Sequence, residues 1–68
     1  MTPVTLHLSP TQLHRTVASM ERHGGGFCRA LAGAWYLADT GNKRRIETTF
    51  AHILQDYAPG SGFYEDEY

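Results

Sequence analysis

The chain has 68 residues, a formal charge of −1 and a single cysteine, Cys28. That length holds one domain at most and excludes an intrachain disulfide. No apolar run approaches the roughly 20 residues of a membrane span. A chain this short buries a small share of its surface, so a metal or a partner subunit is the usual source of added stability.

The first ten residues, MTPVTLHLSP, show neither a basic start nor a long apolar run. With one cysteine and no signal peptide in view, a cytoplasmic protein is expected, with no membrane partner. Residues 4–8, VTLHL, alternate apolar and polar, the period of a strand. A single short strand has no partner within the chain, so residues 1–8 are read as an extended arm.

The first helix signal is LSPTQL. Ser9 is placed to cap, Pro10 suits the first helical position, and Gln12 completes a capping box. Leu13, Val17 and Met20 form the apolar stripe of a helix from Pro10 to His23, with Arg15, Ala18 and Arg22 facing away. Gly24 is expected to end it in the left-handed conformation.

A second helix is expected from about Gly26 to Ala38, with Arg29 its only charge. Phe27, Leu31, Ala34, Trp35 and Ala38 share one face. The opposite side is apolar as well, so Cys28, Ala32, Gly33 and Tyr36 are expected to meet a second copy in a homodimer. A third helix is expected from Lys43 to Tyr57, capped by Asn42, with Ile46, Phe50, Ile53, Leu54 and Tyr57 repeating the same spacing. Two matched stripes joined by a short turn predict a helical hairpin. Residues 58–68 have no helical period and end in FYEDEY, so a flexible acidic tail is expected. The fold class expected is therefore all-α: a three-helix domain over residues 9–57 with a C-terminal helical hairpin, an N-terminal arm and a tail.

Candidate chemistry is sparse. GGGFCRA lacks the Lys and hydroxyl of a phosphate loop and follows a helix, so the three glycines read as a joint. His7, His14, His23, His52 and Cys28 fall in no metal-ligand pair, and neither a metal site nor a cofactor is expected. Glu21, Asp39, Glu47 and Asp56 lie on different helices, and no enzyme activity is expected. Two binding surfaces remain. One is the tail, with Phe63, Tyr64 and Tyr68 as anchors and Glu65, Asp66 and Glu67 for electrostatic steering. The other is the polar face of the third helix, with Arg44, Arg45, Thr48 and His52, which suits a protein partner or a nucleic acid in helix-turn-helix fashion. Those three tail acids leave six basic and four acidic residues in the rest of the chain, a net +2.

The stretch GGGFCRALAGAWYLADTGN, followed by RRIETTFAHILQDYAP, resembles small helical proteins encoded by phages and prophages of proteobacteria. The matching positions are Gly25, Gly26, Phe27, Ala30, Leu31, Ala38, Asp39, Asn42, Arg45, Ile46, Glu47, Phe50 and Tyr57. They are core and turn positions, so the resemblance implies a fold and an origin and carries no catalytic motif. It implies a protein that binds a host bacterial protein and inhibits or redirects it, for example one of a defence system such as CRISPR–Cas. The alternative is a DNA-binding regulator that uses the basic face of the third helix.

Overall fold

The computed structural model describes residues 8–64, which form a small all-α domain. Among them are four helices and no strand: α1 (Pro10–His23), α2 (Gly26–Leu37), α3 (Thr40–Thr49) and α4 (Ala51–Gln55). None is long and apolar enough to cross a membrane. Residues 1–7 of the expected arm and 65–68 of the expected tail lie outside the described residues.

Helix α1 begins as its local signals require. The Gln12 amide donates to Ser9 Oγ at 3.2 Å, and the Ser9 amide donates to Gln12 Oε1 at 3.0 Å. This reciprocal pair satisfies donors that the first turn leaves without a helical partner. The buried face is wider than the apolar stripe. Val17 and Met20 are fully buried, and so are Thr16 and Ser19. Their hydroxyls donate to the Gln12 and Arg15 carbonyls one turn back, each at 2.8 Å. A hydroxyl satisfied by its own helix enters a core at little cost, and its small side chain lets a neighbouring helix come close.

That neighbour is α2. The two helices make the most extensive pairing in the molecule. Val17 and Met20 join Leu31, Ala32, Trp35 and Leu54 in one core, with Leu13, Cys28, Ile46, Phe50, Ile53 and Tyr57 packed around it. Gly24 sets how closely α1 and α2 approach at their joint. Its φ of −81° is extended rather than left-handed, which corrects the expected cap conformation. What the position requires is space: a Cβ there would lie 2.3 Å from Cys28 Cβ and 2.7 Å from the Met20 carbonyl oxygen.

The expected single helix over 43–57 is two helices. Asp39 precedes Asn42 and takes the capping role, its Oδ1 accepting from the Asn42 amide at 2.8 Å, so α3 starts at Thr40. At Phe50 the backbone leaves helical geometry, with φ −109° and ψ 28°. Hydrogen bonds from the Phe50 amide to the Ile46 carbonyl and from the Leu54 amide to the Phe50 carbonyl carry the chain across the bend. Beyond it Ala51 and Leu54 are buried, while Ile46, Phe50 and Ile53 are half-buried. Bending at Phe50 therefore turns α4 so that its Ala51–Leu54 face enters the core beside α1.

The first part of the expected flexible tail is packed. Ala58 is buried, Gly60 makes a turn at φ 98°, and the Ser61 amide donates to the Ala58 carbonyl at 3.0 Å. The Phe63 ring then rests between Tyr57 and His23, with centroids 5.5 and 5.6 Å away. A positive φ with a neighbouring proline, Pro59, explains why helical periodicity stops here.

Candidate interaction surfaces

Two surfaces stand out once the core is removed from consideration. The first is the outward side of α2. Phe27 is 60% exposed and Leu37 is 90% exposed. Between them Ala30 and Ala34 are exposed too. Residues 27, 30, 34 and 37 fall on one side of a helix, so these four make a continuous stripe about 15 Å long. It contains no charge and no hydrogen-bonding side chain. Gly33, half-buried beside it, has nothing within 4 Å of the place a Cβ would occupy. The Phe27 ring makes a T-shaped contact with Phe50, 5.8 Å between centroids.

This stripe corrects the expected phase of α2. Phe27 and Ala34 point outward rather than toward the core. Of the four residues expected to meet a second copy, the chain itself buries one and covers two in part. Ala32 is fully buried against the core, and Cys28 is half-buried beside Gly24. Gly33 is half-buried, and Tyr36 is 36% exposed with its ring edge against His14 and Trp35. The error arose because α2 has one charge in twelve residues, so hydropathy cannot say which side faces inward.

The second surface surrounds Trp35, which is 6% exposed. Its Nε1–H donates to Glu47 Oε2 at 2.8 Å. The Lys43 ammonium stands 4.5 Å from the ring centroid, a cation–π contact. His14 meets the same ring edge-on at 6.1 Å. In front of this group lies a cleft of about 450 Å³, lined by Leu8, Pro10, Leu13, Trp35, Thr40, Lys43, Arg44 and Glu47. One wall is apolar and comes from the start of α1. The other comes from α3 and carries two cations, Lys43 and Arg44, with Thr40 and the Trp35-bound Glu47.

Arg44, Arg45 and Thr48 are exposed along α3, and His52 is exposed on α4 beyond the bend. Because Glu47 is half-buried and bonded to Trp35, its charge is drawn inward from the Arg44–Arg45 surface. In the tail, Phe63 is 51% exposed and Tyr64 is half-buried. Glu65, Asp66, Glu67 and Tyr68 lie outside the described residues.

Burial raises the Tyr57 hydroxyl above its ordinary value near 10, with the Cys28 thiol and the Asp56 carboxylate adding to the rise. Among the described residues no three His, Cys, Asp or Glu side chains converge as a metal site would require. The described surface offers apolar contact on α2 and cation–aromatic contact at Trp35.

No protein family, no curated protein and no solved structure matches the chain.

Proposed function

We propose that the protein acts by binding another protein, and that the outward stripe of α2 is its principal contact. The observation that carries this reading is the exposure of Phe27 and Leu37 at the two ends of an uncharged helical face. Large apolar side chains flanking small ones suit a partner that lays an apolar ridge between them. Docking a side chain of this size is worth about 1–2 kcal/mol, roughly five- to thirtyfold in affinity per position. On this reading α2 is central, with α1 on one side and the α3–α4 segment folded back along another as a bent hairpin. The target class is the one the phage resemblance implies, a bacterial host protein that is inhibited or redirected on binding.

The test compares two baits in bacterial lysate: the wild-type chain and the Phe27→Ser, Leu37→Ser double variant. Both are first matched by circular dichroism. A partner retained by the wild type and lost by the variant supports the reading. An identical catch from both removes the α2 face from the account.

A second reading has one specific observation in its favour. The inward engagement of Glu47 leaves Arg44, Arg45 and Thr48 as an exposed basic and polar face on α3. Such a face suits phosphate contacts. Salt-sensitive retardation of a duplex, abolished by Arg44→Ala with Arg45→Ala, supports DNA binding. No retardation at low salt contradicts it.

A further inference from the structure

The Trp35 cleft and the acidic tail are complementary in chemistry. The cleft offers an aromatic floor, an apolar wall of Leu8, Pro10 and Leu13, and a rim carrying Lys43 and Arg44, with Arg45 next in sequence; Glu47 also lines it, its carboxylate engaged by the Trp35 N–H, and the two cations outnumber it. Its volume of about 450 Å³ admits one or two side chains and excludes a whole folded element. The chain itself contains a segment with the matching chemistry. Tyr64-Glu65-Asp66-Glu67-Tyr68 holds three of the seven acidic residues, in the one place where acids are adjacent, with a tyrosine on each side.

Geometry decides which copy of the cleft the segment can reach. Phe63 is fixed against His23, the last residue of α1, and against Tyr57. The cleft opens at Pro10, the first residue of α1. Fourteen helical residues separate these ends by about 20 Å. Residues 65–67 extend at most about 14 Å beyond Phe63 even when fully stretched. A fully stretched backbone to residue 67 is thus shorter than α1 is long, whereas that length sets no limit on reaching the cleft of a second copy.

We propose that the cleft floored by Trp35 takes the Glu65–Glu67 segment of a second copy of this chain. The carboxylates sit at Lys43 and Arg44, and a flanking tyrosine ring lies on the Leu13–Pro10 wall. Each copy has one cleft and one tail, so two copies exchange tails about a two-fold axis and close the assembly. Opposite charges at the rim fix the register and make association sensitive to salt. The inference uses surfaces other than the α2 stripe and stands independently of it.

Trp35 is the only tryptophan, so its fluorescence, excited selectively over tyrosine, reports the cleft directly. The full chain is followed by light scattering and by Trp35 fluorescence over increasing concentration at low and high salt. The expected result is a mass that rises to twice that of one chain at low salt, with association about tenfold weaker at physiological salt or above. Free FYEDEY peptide should perturb Trp35 and lower the mass. Two variants follow, each checked for helicity: Glu65→Lys with Asp66→Lys and Glu67→Lys, and Lys43→Glu with Arg44→Glu. Each alone should remain a single chain, and an equal mixture of the two should pair again. A mixture rescues only if tail and cleft meet, whatever either variant does to stability. Three results overturn the proposal. One is a mass that ignores reversal of the tail. Another is a Trp35 response to the tail that does not depend on concentration, which places the segment in its own cleft. The third is a Trp35 response to duplex DNA with none to the peptide.

Discussion

Substituting alanine at each glycine of the Gly24-Gly25-Gly26 joint separates two reasons for glycine that look identical in sequence. At Gly24 the added Cβ would sit 2.3 Å from Cys28 Cβ, 2.7 Å from the Met20 oxygen and 3.0 Å from Cys28 Sγ. Neither of the two nearest atoms can swing aside by a rotamer change, because one is a β-carbon and the other is backbone. Helices α1 and α2 must separate by up to an ångström, in a core where Met20, Val17 and Ala32 are fully buried. Overpacking of this kind costs about 1–3 kcal/mol, and backbone involvement places Gly24→Ala toward the upper end. Restricting the unfolded chain returns only about 0.4–1 kcal/mol. At Gly25 and Gly26 nothing lies within 4 Å of the new Cβ; Gly25 is the N-cap of α2, where alanine is a poor cap, but at Gly26, inside the helix, the same restriction acts unopposed. Gly26→Ala should therefore stabilise by about 0.4–1 kcal/mol, more so because position 26 is the first residue of α2. The whole domain is worth about 3–10 kcal/mol, and each kcal/mol moves the melting temperature by about 4–8 °C at this size. Thermal melts by circular dichroism should thus show Gly24→Ala well below the wild type and Gly26→Ala above it. Cys28→Ala should not rescue Gly24→Ala, since the β-carbon remains. A Gly24→Ala protein that melts at or above the wild-type temperature would refute the close approach.

Other expectations follow from single contacts. Glu47→Ala leaves the buried Trp35 N–H without its acceptor and should cost about 1–3 kcal/mol in chemical denaturation, with a shifted Trp35 emission; Glu47→Gln keeps an acceptor oxygen and should cost less. Ser9→Ala removes one half of the reciprocal cap and should lower stability by about 1 kcal/mol. The Tyr57 hydroxyl has its ionisation raised by burial, so its contribution is fully present below pH 10 and is lost as pH climbs through the folded-state value. Melting followed across that alkaline range should fall less steeply for Tyr57→Phe than for the wild type; equal slopes would contradict the assignment.

What the sequence made legible was local. Ser9, Pro10 and Gln12 act within one turn, so the start of α1 could be read to the residue. The apolar residues Val17, Met20, Leu31, Trp35 and Leu54 are all buried as their spacing predicts. Burial of Thr16 and Ser19 was invisible to hydropathy, because their hydroxyls are satisfied inside the helix that carries them. The phase of α2 was illegible for the opposite reason, since apolar residues surround it and only packing against α1 selects Ala32 over Ala34. The bend at Phe50 interrupts no period, as the 46, 50, 54 hydrogen bonds run through it, so one long helix was the natural reading. The Trp35–Glu47 bond joins residues twelve apart on different helices, and no local pattern announces it. These nonlocal choices decide the surfaces: packing adds Ala32 to Leu31 and Trp35 on the buried side of α2 and leaves Phe27 and Ala34, expected in the core, facing outward.

Hydroxyl-radical footprinting of the isolated chain, read by mass spectrometry, tests the exposed α2 stripe most directly. Met20 and Trp35 are intrinsically among the more oxidisable side chains, yet they should be protected, while Phe27 and Leu37 should be modified readily. Adding a captured partner should then shield Phe27 and Leu37 together. Heavy oxidation of Met20 alongside a protected Phe27 would mean that α2 faces the other way, and the stripe would cease to be a binding surface.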